Sequence, residues 1–110
     1  MIEIKNSENN RLDTMRIINL STDHIRQETA ELLDEQTRHD KDCLDSIAVY
    51  KKDEYGYFVY IMDYGEEANE DLPEDLKDCI RLAKSNDCEM IIFDRDFDPI
   101  SGNTLKTYEW

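Results

Sequence analysis

No stretch of this sequence approaches the roughly 18 consecutive apolar residues that a membrane-spanning helix needs. Nor does a charged segment lead into an apolar one at the N-terminus, so no secretory leader is read there. Basic residues are scarce: 13 Lys and Arg stand against 27 Asp and Glu, a formal charge of −14 over 110 residues. A surface of that sign repels phosphate, and no Lys/Arg cluster offsets it, so direct nucleic-acid binding is not expected. Cysteine is sparse as well. Cys43, Cys79 and Cys88 are an odd set without a Cys-x-x-Cys pair, which argues against the even staple framework of a small secreted domain. They read as reduced thiols in a cytoplasmic protein. His24 and His39 lie at no zinc-ligand spacing from them and read as surface histidines, so neither a metal nor a cofactor is expected. Internal repeats and low-complexity segments are absent from the sequence.

Hydrophobic residues make up 39% of the chain, and Leu, Ile, Val and Phe together are a little over a fifth. That lies just above the composition of disordered chains. The apolar residues are clustered, however, and the clusters have phase. Met15–Leu20 has strand length. Ser21-Thr22-Asp23 offers three N-cap residues opening a helix to about Arg38, with Ile25, Thr29, Leu32, Leu33 and Gln36 as its inner stripe. Ile47–Lys52 and Tyr57–Met62 are rich in β-branched and aromatic residues, and the Gly-containing link between them reads as a hairpin, Gly56 supplying a positive φ. Leu72, Leu76, Cys79, Ile80 and Ala83 form one helical stripe. Pro73 suits the first turn of that helix, and Asn86 would close it in the left-handed conformation. Met90–Phe93 is a buried-strand run, and Thr104–Trp110 is a last strand or a docked tail.

The order strand, helix, strand, strand, helix, strand predicts an α+β two-layer sandwich. The expected form is the split βαβ, ferredoxin-like arrangement: a four-stranded antiparallel sheet with two helices on one face. Its single domain spans 15–110, after an N-terminal arm or edge strand at 1–14.

Several motifs invite a chemical reading. Met90-Ile91-Ile92-Phe93-Asp94-Arg95-Asp96 resembles the nucleophile loop of the haloacid-dehalogenase-type phosphatases, in which two carboxylates and Mg²⁺ serve phosphoryl transfer. The resemblance covers seven residues, and the rest of that family's site does not follow. Asp94, Asp96 and Asp98 match the first acids of a calcium loop, but Pro99 stands where Gly is needed and Leu105 where the bidentate Glu belongs. Ser21 and His24 share a helix start rather than a nucleophile–base arrangement. The domain is therefore expected not to be an enzyme.

Aromatic density is the stronger signal. Tyr50, Tyr55, Tyr57, Phe58, Tyr60 and Tyr64 fall close together, and Tyr108 and Trp110 lie at the C-terminal end of the sequence. In a two-layer sandwich one sheet face carries no helix, and Tyr residues there would make an interaction patch. The candidate contact residues are Tyr50, Tyr55, Tyr57, Tyr60, Tyr64 and Trp110.

Leu20-Ser21-Thr22-Asp23-His24-Ile25, Glu28–Leu33, Tyr55–Tyr60, Leu72-Pro73-Glu74-Asp75-Leu76, Cys79, Ala83 and Thr107-Tyr108-Glu109-Trp110 occur in an order that resembles a family of small acidic domains of unknown function. That family is carried on plasmids, phages and conjugative elements, and the similarity spans roughly 19–110. The resemblance implies a cytoplasmic, mobile-element context and supplies no activity. Two functions are expected from these features. One is an accessory module that binds a host or element-encoded protein through its Tyr-rich sheet face. The alternative is an acidic mimic of DNA, an antirestriction-type inhibitor using acids such as Asp94, Asp96 and Asp98.

Overall fold

The computed structural model describes residues 14–38, 47–62, 71–100, 102 and 104–109. The expected N-terminal arm therefore lies outside the described residues, apart from Thr14. So do His39, Cys43, Tyr64 and Trp110.

Strand β1 (Ile17–Ser21) runs into a 3₁₀ turn (Thr22–His24) and then helix α1 (Gln27–Arg38). The hairpin β2 (Ile47–Lys52) and β3 (Gly56–Ile61) follows, then α2 (Glu74–Ser85) and β4 (Met90–Asp94). The α+β class and the βαββαβ order are those predicted. The sheet itself departs from the expected form. Its order is β1-β4-β3-β2, and β1 pairs with β4 in parallel while the other two pairings are antiparallel. Hydrophobic alternation fixes which residues share a face but not which way a neighbour runs, so the pairing direction could not be read. The placement has a physical reason. Strands β3 and β4 are apolar on both faces and take the centre. Strand β1, with Asn19 mid-strand and Ile17 44% exposed, takes an edge.

Both helices cover one face. Ile18 and Leu20, Ile91 and Phe93, Tyr57 and Val59, and Ile47 and Val49 point toward them, and the pairing registers place these residues on a common side. From α2 come Leu76, Cys79, Ile80 and Ala83, joined by Leu72 ahead of it, all at most 4% exposed. The predicted α2 stripe is thus the core contact. Helix α1 contributes Thr29, Ala30 and Leu33, while Leu32 and Gln36 are only partly buried.

Three local expectations are corrected. Ser21, Thr22 and Asp23 open the 3₁₀ turn, with Ser21 Oγ accepting the Asp23 N–H at 3.0 Å. Extended backbone at Ile25 (φ −125°, ψ 154°) then delays α1, whose cap comes from another helix: Asp75 of α2 accepts the Arg26 N–H at 2.7 Å. The left-handed residue after α2 is Asp87 (φ 58°), not Asn86 (φ −109°). The Cys88 N–H reaches the Ala83 carbonyl (2.8 Å) and the Asp87 N–H reaches Lys84 (3.1 Å), the paired bonds of a Schellman close. In the hairpin the positive φ falls on Asp53 (46°). Gly56 is required for a different reason, since a Cβ there would lie 1.7 Å from the Phe93 carbonyl oxygen of the neighbouring strand.

Candidate interaction face

Because side chains alternate along a strand, the residues not facing the helices line the opposite side of the sheet. The registers arrange them in three rows across β1-β4-β3-β2. The first row is Ile17, Met90, Tyr60 and Ala48, and the second is Asn19, Ile92, Phe58 and Tyr50. The third is Ser21, Asp94, Gly56 and Lys52. Among the described residues no helix lies over the first two rows. Tyr50 is 58% exposed, and its ring meets that of Tyr60 edge-on, with centroids 5.8 Å apart and planes at 89°. Ile17 and Met62 are also exposed. The result is an aromatic and aliphatic surface around the buried Met90, in which an edge-to-face Tyr pair carries hydroxyls for hydrogen bonding.

The third row closes one end of this surface. Lys52 Nζ lies 2.6 Å from Asp94 Oδ2, and the Asp96 N–H donates to Asp94 Oδ1 at 2.8 Å. The Lys52 ammonium, and after it the Asp96 amide, hold the Asp94 carboxyl below its ordinary range. Tyr55 sits outside this pair, with Lys52 5.9 Å and Arg95 5.0 Å from its ring centroid.

The sequence-predicted contact residues therefore separate. Tyr50 and Tyr60 share the open face, and Tyr55 lies at its closed end. Tyr57 is corrected: it points the other way, 6% exposed under the helices. Its hydroxyl donates to Asp34 Oδ1 at 2.8 Å, with the Ala30 carbonyl at 3.2 Å. Burial first, then Asp34, pushes its phenol well above the ordinary range. Burial raises the Asp34 carboxyl, but hydrogen bonds from Lys51 and Tyr57 outweigh it and hold the group low. The acidic set also divides. Asp94 is 5% exposed and both of its oxygens are engaged, whereas Asp96 and Asp98 are exposed. The expected Asp94/Asp96/Asp98 surface cluster is corrected accordingly: the register sets Asp94 in one row with Lys52, and the ion pair and the Asp96 amide cover its carboxylate. Ile17, Phe58, Ile92 and Met62 join the face without having been singled out. The alternation Phe58, Tyr60, Met62 was the signal that could have found part of it.

His24 is likewise corrected from surface to core, at 2% exposure. Nε2 accepts the Ile100 N–H at 2.9 Å, and Nδ1 lies 2.8 Å from the Lys106 carbonyl. Ser21 is fully buried and occupied by the Asp23 N–H, so these two side chains do not pair as nucleophile and base. Cys79 is a buried thiol pushed up to about 12, by burial first and then by Asp75 and Asp78, which suits a packing role. Among the described residues, no three His, Cys, Asp or Glu side chains are grouped to hold a metal ion. No helix among them is long and apolar enough to cross a membrane.

The family described as "Family of unknown function (DUF5983) C-terminal domain" matches residues 17–110, from the first residue of β1 onward. The chain belongs to that family. No curated protein and no solved structure matches it. Membership of this family of unknown function brings no assigned residue, so the face described above rests on its own geometry.

Proposed function

We propose that this domain is a non-enzymatic accessory module of a mobile genetic element, binding a host or element-encoded protein through the open face of its sheet. The observation that carries the reading is the edge-to-face Tyr50–Tyr60 pair, set among Ile17, Phe58 and Ile92 on a face that no described helix covers. Aromatic residues dominate the energetically important centres of protein interfaces. The chain's charge of −14 selects the partner's chemistry: an apolar patch bordered by Lys and Arg. The mobile-element context follows from the resemblance described above.

A second reading rests on the same charge. An acidic chain presents carboxylates to a DNA-binding cleft in place of phosphates, with Asp96 and Asp98 among those exposed. Salt separates the two. A mimic held by charge alone releases its partner as salt screens it, whereas a Tyr-centred contact persists.

The test is capture of partner by tagged protein at low and high salt, beside a Tyr50→Ser/Tyr60→Ser variant shown by circular dichroism to be folded. The proposal expects a partner that survives high salt with the wild type and is lost with the variant. A partner released by salt and held equally by both proteins would overturn it in favour of the acidic mimic.

A further inference from the structure

Ile100 and residues 104–109 lie against the 3₁₀ turn and the start of α1, and four contacts hold them there. The His24 ring bonds the backbone twice, at Ile100 and at Lys106. The Tyr108 N–H donates to the Asp23 carbonyl at 2.8 Å, and the Arg26 guanidinium lies 4.9 Å from the Tyr108 ring centroid. Leu105 is buried beneath, at 7% exposure. Residues 104–109 thus form a strap without helix or strand structure of its own, and it flanks a cleft of about 670 Å³ that includes Thr22, Asp23, Arg95 and Tyr108.

The chemistry of the two ring contacts fixes the protonation state of His24. A backbone N–H can only donate, so Nε2 must carry a lone pair toward Ile100. A carbonyl oxygen can only accept, so Nδ1 carries the proton toward Lys106. Only the neutral Nδ1–H tautomer satisfies both. Imidazolium has no acceptor, and protonating Nε2 would set one N–H against another inside the protein.

We propose that His24 is an acid-sensitive latch: neutral, it holds the 104–109 strap against the 3₁₀ turn, and protonation releases the strap and with it one wall of the cleft. The neighbourhood does not supply an alternative proton acceptor for the ring. On its own turn and the start of α1 the charged groups are Asp23 and Arg26. Helix α2 brings Asp75, committed to Arg26 and Thr29, Asp78, paired with Arg81, and Cys79, whose Sγ lies 3.9 Å from the His24 carbonyl. The strap brings Lys106 and Glu109, the end of β4 brings Asp94, committed to Lys52, and the residues after it bring Arg95, Asp96 and Asp98. Among the described residues no carboxylate pairs with the imidazole, so an added proton there is uncompensated.

The sign follows from linkage. The latched state excludes a proton that the released state accepts, so latching weakens as pH falls.

The test is NMR on the whole chain. Long-range ¹H–¹⁵N spectra read the His24 tautomer, and amide exchange, corrected for its intrinsic pH dependence, reads protection at Ile100 and Tyr108, with Ile91 as the core reference. The expected result is an Nδ1–H tautomer at pH 7.5 and a selective loss of protection at pH 5.0 for Ile100 and Tyr108 while Ile91 stays protected. A His24→Gln variant, which cannot take up the proton, should hold constant protection across the range. Should that variant not fold, the wild-type tautomer and protection profile decide alone. An Nε2–H tautomer, protection at Ile100 and Tyr108 unchanged on acidification, or a parallel loss at Ile91 showing whole-domain unfolding would each overturn the latch.

Discussion

The two faces of this sheet are made from the same four strands, and they are chemically different. Toward the helices stand Leu20, Phe93, Ile91 and Val59, all fully buried. The hydroxyl of Tyr57, the one polar tip among the central strands on that side, is hydrogen bonded. On the other side the neighbouring positions carry Ile17, Asn19, Tyr50 and Tyr60, whose apolar bodies and polar tips remain accessible. Alternation alone would allow the second face to be wholly polar, as on many solvated antiparallel sheets. That it is aromatic and aliphatic in a chain of net charge −14 is the observation on which the proposed contact rests.

The comparison is sharpened by substitutions that should behave oppositely on the two sides. The largest effect is expected at Phe93, central and fully buried. Phe93→Ala removes core packing and should cost about 3–5 kcal/mol in chemical denaturation; a loss below about 1 kcal/mol would mean the covered face is not the core. Next comes Asp75, which ties the start of α1 to α2. Asp75→Ala strands the Arg26 amide and the Thr29 hydroxyl and should cost about 1–3 kcal/mol, with faster amide exchange in the first turn of α1.

The closed end of the open face should show itself in pH dependence. The folded-state Asp94 carboxyl is held low by Lys52 and the Asp96 amide. Its contribution is therefore present above the unfolded carboxylate value near 3.9 and is lost as pH falls through the lower folded value. Asp94→Asn should flatten the acid limb of the stability curve below about pH 4 relative to wild type; an unchanged limb would place the acid sensitivity elsewhere. The smallest stability effect belongs to Tyr50→Ser, expected within about 1 kcal/mol of wild type because the ring is mostly solvated. Partner capture by that variant should nonetheless fall.

Much of the covered face was legible beforehand. The stripe Leu72, Leu76, Cys79, Ile80, Ala83 needs only helical periodicity, and the β2–β3 hairpin needs only two strand-forming runs with a short link. What was not legible depends on distant pairings. His24 looks like a surface residue until Ile100 and Lys106, 76 and 82 residues away, close on its ring. Alternation along β3 sends Tyr57 and Tyr60 to opposite faces, but which of the two faces the helices cover, and so which Tyr meets Asp34, is decided only when the layers pack. Gly56 suggested a turn, but its role is set by a carbonyl on β4, visible only once β3 and β4 are neighbours. Asp94 read as one of three acids in a loop because nothing local shows Lys52 lying across β3 from it.

Site-specific photocrosslinking tests the central claim most directly. A benzophenone amino acid would be placed at Tyr50, at Tyr60 and, for comparison, at exposed Glu31 on the outer side of α1, in cells that carry the gene. The account predicts an adduct of one defined mass from positions 50 and 60 and none from position 31. Adducts from Glu31 alone would contradict it and move the contact from the open sheet face to the acidic helical surface.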